Sequence, residues 1–324
     1  MEISPMDLTI NLAPEHPGGL FLSNPVMIAS GTFGYDGYGR GLDPDAPLAS
    51  LGAVLPKTFT RHPREGNPEP RWFPSSFREG LAAGETTLLN SIGLTNPGIE
   101  AAMSELAPQW DSMDASIVMS MSAESAEQWE EMASFTRGVS GFAAIELNLS
   151  CPNVDDGAMF SHQPRLTQAA VAGVRRQTKL PLWAKLSPNV PDITEIAHAA
   201  VEAGANALTI SNTIPALHID VDSGRAVLGT GYGGLSGPAL RPVAMALVHK
   251  AAQSVDVPVI GVGGVMTGRH AAEFLMAGAT AVQVGSANLT NLNASFRILA
   301  ELEALLNEWE VSDVSEIVGK AELP

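Results

Sequence analysis

Eight short apolar runs, separated by stretches with helical character, set the tightest limit on what this chain can fold into. They lie at residues 26–30, 53–58, 116–121, 144–149, 182–186, 207–211, 259–262 and 281–284. Most are continuously apolar rather than alternating, the pattern of parallel strands covered on both faces. Helices are predicted over residues 123–137, 167–178 with Thr167 as N-cap, 192–203 stopped by Gly204, 238–254, 268–277 and 293–309. Strand–helix alternation along the whole length predicts a parallel α/β fold. Eight repeats favour a closed (β/α)8 TIM barrel over an open doubly wound sheet.

A chain of 324 residues suits one such barrel with insertions, read as a single domain over residues 1–324. Two stretches break the rhythm. Residues 61–87 are rich in Pro, Gly and charge, and residues 214–235 form a second long, glycine-containing loop. Each follows a strand, so both are expected as inserted loops on the C-terminal, active-site face. The glycines of the second suggest mobility.

With 45% hydrophobic and 16% charged residues, the chain can bury a large core, which argues against disorder. A formal net charge of -17 repels phosphate backbones, so nucleic acid is not an expected partner. Met1 to Asn11 carries Glu2 and Asp7 and has no basic-then-apolar leader pattern, and no run approaches a membrane span. No membrane association is expected, and the expected location is the cytoplasm. A single cysteine, Cys151, allows no internal disulfide; it reads either as a small buried hydrophobe or as a reactive thiol. The seven histidines show no ligand spacing, so no metal site is expected.

Glycines cluster at the ends of the last two strands, at Gly261, Gly263 and Gly264 and again at Gly285 beside Ser286. Such clusters let backbone N–H groups approach an anion, and barrels often bind phosphate after strands seven and eight. The competing reading is tight turns at barrel ends. Gly237 closes a third donor-rich segment, residues 231–237. The end of strand four gathers Asn148, Cys151 and Asn153. Asn offers a donor and an acceptor to an imide or ureide edge, and a tuned Cys can act as a general base. Turn-capping Asn and a buried Cys explain the same residues. Lys57 and Lys185 sit inside apolar runs near strand ends, where a cation can stabilise an anionic cofactor or bind a carboxylate. A salt bridge within the barrel, with Glu146 for instance, is the alternative. Asn90, Ser91, Ile92, Gly93 and Leu94 open a polar turn, and Asn212 and Thr213 end strand six.

In chain order, residues 29–31, 56–58, 90–98 (Asn-Ser-Ile-Gly-Leu-Thr-Asn-Pro-Gly), 146–153 (Glu-Leu-Asn-Leu-Ser-Cys-Pro-Asn), 185–189, 211–213, 234–238, 261–265 and 284–288 resemble the dihydroorotate dehydrogenase family, class 1. The resemblance implies oxidation of dihydroorotate to orotate in pyrimidine biosynthesis, on an FMN cofactor. It implies Cys151 as the base that removes the C5 proton while the C6 hydride goes to the flavin. It assigns Asn90, Asn148, Asn153 and Asn212 to the pyrimidine ring, with Thr213 and residues Ser91 to Leu94 beside them. Lys57 would lie between flavin and substrate carboxylate, and Lys185 by the flavin pyrimidine ring. Ser30, Thr58, Ser120, Asn148 and Ser211 would touch the flavin, and Gly237, Gly263, Gly264, Gly285 and Ser286 would cradle its ribityl phosphate.

Residues 148–157 and 61–68 look most like subclass 1B, which implies a partner subunit carrying FAD and a 2Fe-2S cluster, with NAD as final acceptor. One cysteine cannot hold that cluster. A homodimer or heterotetramer is implied. Two departures stand out. Ser120 takes a place where the family usually has Asn, with less reach toward the flavin and room for a water. Residues 71–87 look longer than usual. The competing readings are a dihydropyrimidine dehydrogenase acting on dihydrouracil or dihydrothymine, a fumarate-using class 1A homodimer, and a barrel that only scaffolds a partner.

Overall fold

The computed structural model describes residues 6–37, 41–150 and 159–324. Cys151 and Asn153 therefore lie outside the described residues. Eight parallel strands carry the architecture: β1 (Val26–Ile28), β2 (Ala53–Val54), β3 (Val118–Met121), β4 (Ala144–Asn148), β5 (Leu182–Leu186), β6 (Ala207–Ile210), β7 (Val259–Val262) and β8 (Ala281–Val284). They pair in the order β2-β1-β8-β7-β6-β5-β4-β3. The ring is completed by parallel bridges Val54–Ile117 and Phe59–Met121. The expected barrel is thus the observed fold, with each of the eight apolar runs contributing its strand.

Both faces of these strands are covered. All five residues of β5 are buried, Lys185 among them, and Trp183 is one of the largest wholly buried side chains. The outer layer includes α1 (Ala126–Ser134), α2 (Pro164–Gln177), α3 (Ile193–Glu202), α4 (Arg241–Ala252), α5 (Gly268–Met276) and α6 (Ala294–Glu308). Ser125, Asp192 and Thr267 cap α1, α3 and α5, each accepting from a backbone N–H of the first turn. The cap expected at Thr167 is not found. Pro164 starts α2 a turn earlier, where its missing N–H costs nothing. Thr167 is instead buried, its hydroxyl donating to the Phe160 carbonyl at 2.8 Å. The helix expected over residues 238–254 divides into a 3-10 turn, Pro238–Leu240, and α4.

The two long excursions are not independent loops. Trp72–Phe73, Leu88–Asn90, Gly233–Ser236 and Ile214–Ala216 form one four-stranded antiparallel sheet. Asn90 pairs with Gly234 and with Trp72. Gly233 and Gly234 serve close approach. A Cβ on Gly234 would lie 2.2 Å from the Thr213 hydroxyl, and one on Gly233 would lie 2.8 Å from the Asn90 carbonyl.

Gly261 in β7 is required in the same way. A Cβ there would meet Phe274 of α5 at 2.6 Å, so the helix seats against bare strand backbone. Gly261→Ala should destabilise the fold by about 1–3 kcal/mol through overpacking. Chemical denaturation should show that loss, and Phe274→Leu in the same chain should recover part of it. Equal stability of wild type and Gly261→Ala would refute the seating.

Candidate active site

A cavity of about 290 Å³ opens at the C-terminal ends of the strands, beside the four-stranded sheet. Its floor and walls come from the ends of nearly every barrel strand, where a barrel of this kind carries its chemistry. The turn at residues 91–98 lends it Ile92, Gly93 and Leu94, and Asn96 holds that turn in shape. Asn96 Oδ1 accepts from the N–H groups of Thr60 and Gly98, and Nδ2 donates to the Thr60 hydroxyl and the Leu94 carbonyl. Leu94 takes a positive φ of 53°, and Gly93 one of 75° with Asn67 packed where its Cβ would be. Ser91 is in the same turn but does not line the cavity. Its hydroxyl accepts from Asn67 Nδ2 at 2.8 Å and from Thr230 at 2.7 Å.

An amide cluster sits across from this turn. Asn212 Nδ2 donates to Asn148 Oδ1 at 3.0 Å and to the Ser150 hydroxyl at 2.9 Å, which uses both its hydrogens. Its Oδ1 accepts from the Thr213 N–H at 2.8 Å. Asn90 Nδ2 donates to the Gly234 carbonyl at 3.3 Å. Asn90, Asn148, Asn212, Thr213 and Ser211 all line the cavity. The pair Asn148–Asn212 is pre-oriented, and the donor it can present to a ligand is the Asn148 NH₂.

Both lysines reach the cavity. The Lys57 ammonium lies 3.6 Å from where a Gly31 Cβ would stand, an ordinary contact, and it is the φ of +94° that calls for glycine there. Lys185 is buried, with Glu146 Oε1 at 3.7 Å and Gln283 Oε1 at 3.4 Å. The salt bridge weighed for Lys185 therefore exists, and the lysine lines the cavity as well.

Hydroxyl groups of the first three strand ends form a chain. Ser30 donates to the Pro56 carbonyl at 2.8 Å, Ser30 and Thr58 are 3.1 Å apart, and Thr58 and Ser120 are 2.9 Å apart. Ser30 and Thr58 line the cavity; Ser120 is wholly buried and is not part of the lining. A flavin contact expected at Ser120 is thus reached only through Thr58.

The glycines separate the two readings of their cluster. Gly264 has φ +66°, and a Cβ there would lie 2.8 Å from the Gly237 carbonyl and 2.9 Å from Arg241 Cβ. Gly263 would press on Ala244 at 2.9 Å. These two are glycines for the turn's own packing, and Gly237 is outside the lining as its buttress. Gly285 is different. A Cβ there would make only ordinary contact with Ala29 at 3.6 Å, and no positive φ requires glycine. It lines the cavity with Ser286, Gly263 and Gly264, so its missing side chain leaves space for a ligand. Gln283, Thr209 and Trp72 are not among the residues expected at the site, and Glu146 is expected only as a counterion. Polar residues inside apolar strand runs were the available signal for the first two and for Glu146.

The family model for dihydroorotate dehydrogenase matches residues 15–306. The chain belongs to that family. Among curated relatives, the "Dihydroorotate dehydrogenase B (NAD(+)), catalytic subunit" of Desulforudis audaxviator is 45% identical over 94% of this chain and 95% of its own. Proteins of the same name from Geobacter sulfurreducens and Desulforamulus reducens are 40% and 41% identical. Each match covers 98% of this chain, with 99% and 100% of the relative. The chain is thereby a member of an oxidoreductase family, and the subclass that the sequence resembles is the one these relatives carry. Among the described residues, no helix is long and apolar enough to cross a membrane.

His162 ends the 3-10 turn Phe160–His162, its Nε2 3.4 Å from the hydroxyl of Ser187, the residue after β5. Burial pushes its imidazole below the ordinary histidine range. The unfolded chain then takes up the proton first as pH falls. Stability should be complete above about pH 6.5 and decline as pH drops toward the folded value. His270, shifted in the same direction chiefly by burial, adds to the slope. Melting temperatures between pH 7.5 and 5 should show a shallower decline for His162→Gln than for wild type; identical slopes would remove His162 from the effect. (The limits lie about 1 unit above and about 1.5 units below the ordinary histidine value.)

Proposed function

We propose that this cavity binds FMN and dihydroorotate together and that the chain oxidises dihydroorotate to orotate. The observation that carries the reading is the meeting of two lysines with the Asn90, Asn148 and Asn212 amides in one strand-end cavity. A ureide ring bearing a carboxylate needs donors, acceptors and a cation, and the cavity supplies all three. A flavin needs a cation near its electron-rich ring and a cradle for its phosphate. Lys185 and the Gly263, Gly264, Gly285 and Ser286 backbone fit those needs. When bound, FMN would supply the hydride acceptor.

The chain's own groups would do the rest. Lys57 would neutralise the substrate carboxylate. Asn90, Asn148 and Asn212, with Asn153, would fix the ring and the face it presents. Ser30, Thr58 and Ser211 would hold the flavin edge. Cys151 would take the C5 proton. The relatives' shared name includes "catalytic subunit". That name supports a partner subunit here; we propose that this partner carries FAD and a 2Fe-2S cluster and relays electrons to NAD in a heterotetramer.

Anaerobic mixing of the FMN-loaded chain with dihydroorotate should bleach the flavin, and dihydrouracil should not. Bleaching by dihydrouracil alone would transfer the reading to the dihydropyrimidine enzymes. Cys151→Ser should keep its flavin yet slow the bleaching by roughly 10²-fold or more. Bleaching at the wild-type rate would remove Cys151 as the base.

A further inference from the structure

Beneath the cavity lies a closed polar group that the substrate and flavin roles above do not use. Glu146 has no exposed surface, and its two oxygens are treated unequally. Oε2 accepts from Gln283 Nε2 at 2.6 Å and from the Thr209 hydroxyl at 3.0 Å. Oε1 has no hydrogen-bond partner, and the Lys185 ammonium stands 3.7 Å from it, beyond hydrogen-bond length. The Gln283 amide turns its NH₂ to Glu146, so its carbonyl faces Lys185 at 3.4 Å. Three strands, β4, β6 and β8, thus brace one carboxylate against a lysine on β5.

A purely structural ion pair would be expected to close to hydrogen-bond length and to saturate both oxygens, because an unmet buried acceptor is costly. This pair does neither, and both of its members line the cavity. The clamp on Oε2 keeps the carboxylate from swinging onto the ammonium. Lys185 is therefore held by long contacts, with a fixed negative charge behind it.

Resting on the flavin reading above, we propose that Glu146 is a positioning residue that holds Lys185 as a partly compensated cation and so sets the reduction potential of the bound flavin. Reduction adds negative charge to a flavin. A nearby cation favours that form and a nearby anion opposes it, more strongly in a dry site than in water. Glu146 is then a brake on Lys185. Without it, the flavin would be easier to reduce and would pass its electrons on less readily.

The test is the midpoint potential of the bound flavin, measured by anaerobic reductive titration against a redox dye. Glu146→Gln keeps the shape of the side chain and should shift the potential upward. Lys185→Gln should shift it downward, and the double variant should lie between the two. Loss of flavin content or thermal stability in Glu146→Gln, with an unchanged potential in the flavin that remains, would mean a structural role only and overturn the proposal. If Glu146→Gln does not fold, because it leaves an ammonium buried alone, the double variant is compared with Lys185→Gln. A higher potential in the double variant supports the brake, and equal potentials overturn it. A wild-type chain that takes up no flavin would instead overturn the flavin reading itself, and this proposal with it.

Discussion

The barrel depends on the seam between β2 and β3. Strand β2 is only two residues long, so regular pairing ends before the strand reaches the mouth. The ring still closes because the chain beyond it keeps donating across the gap. Val54 N–H donates to the Ser116 carbonyl at 2.8 Å, Phe59 N–H to the Ser120 carbonyl at 2.9 Å, and Ser122 N–H returns to Phe59. Between these fixed points, residues 55–58 leave the strand, and Lys57 and Thr58 meet the cavity. The seam therefore does two things. It removes the open edges that a sheet of eight parallel strands would otherwise expose, and it sets one lysine in the cavity that Lys185 also lines.

Much of this was legible in the chain before any coordinates. Apolar runs such as residues 182–186 announce a strand covered on both sides, and all eight were found. The strand ends were legible for the same reason: a Lys or Asn at the end of an apolar run has to be met by something. What could not be read was tertiary. Nothing local says that Leu88–Asn90 will pair with Gly233–Ser236, because antiparallel partners some 140 residues apart leave no periodic trace. Gly234 is one of several loop glycines in the sequence, and only the fold shows it pressed against Thr213. Thr167 looked like a cap because capping is a local rule, but Pro164, three residues earlier, had already begun the helix.

The site residues divide along the same line. The cavity gathers Asn90, Asn148, Asn212, Lys57 and Lys185, each of which carried a chemical signal of its own. Ser91 and Ser120 carried only position within a motif, and the fold leaves both outside the lining, Ser91 bonded to Asn67 and Ser120 to Thr58. Gly237 likewise braces Gly264 rather than facing the cavity. Glu146 and Gln283 are the reverse case. Each interrupts an apolar run, a costly thing to do unless something answers it, and their partners lie on other strands.

The sheet made from the two excursions has a consequence for traffic. One of its inner strands comes from the stretch before the β3 segment and the other from the stretch after β6, and their backbones share hydrogen bonds. Neither can lift from the barrel while the other stays. Any opening past Asn90 and Ser236 would therefore carry both strands together, as one panel rather than two flaps. Amide exchange along Leu89, Asn90 and Leu235 would then proceed in one cooperative step.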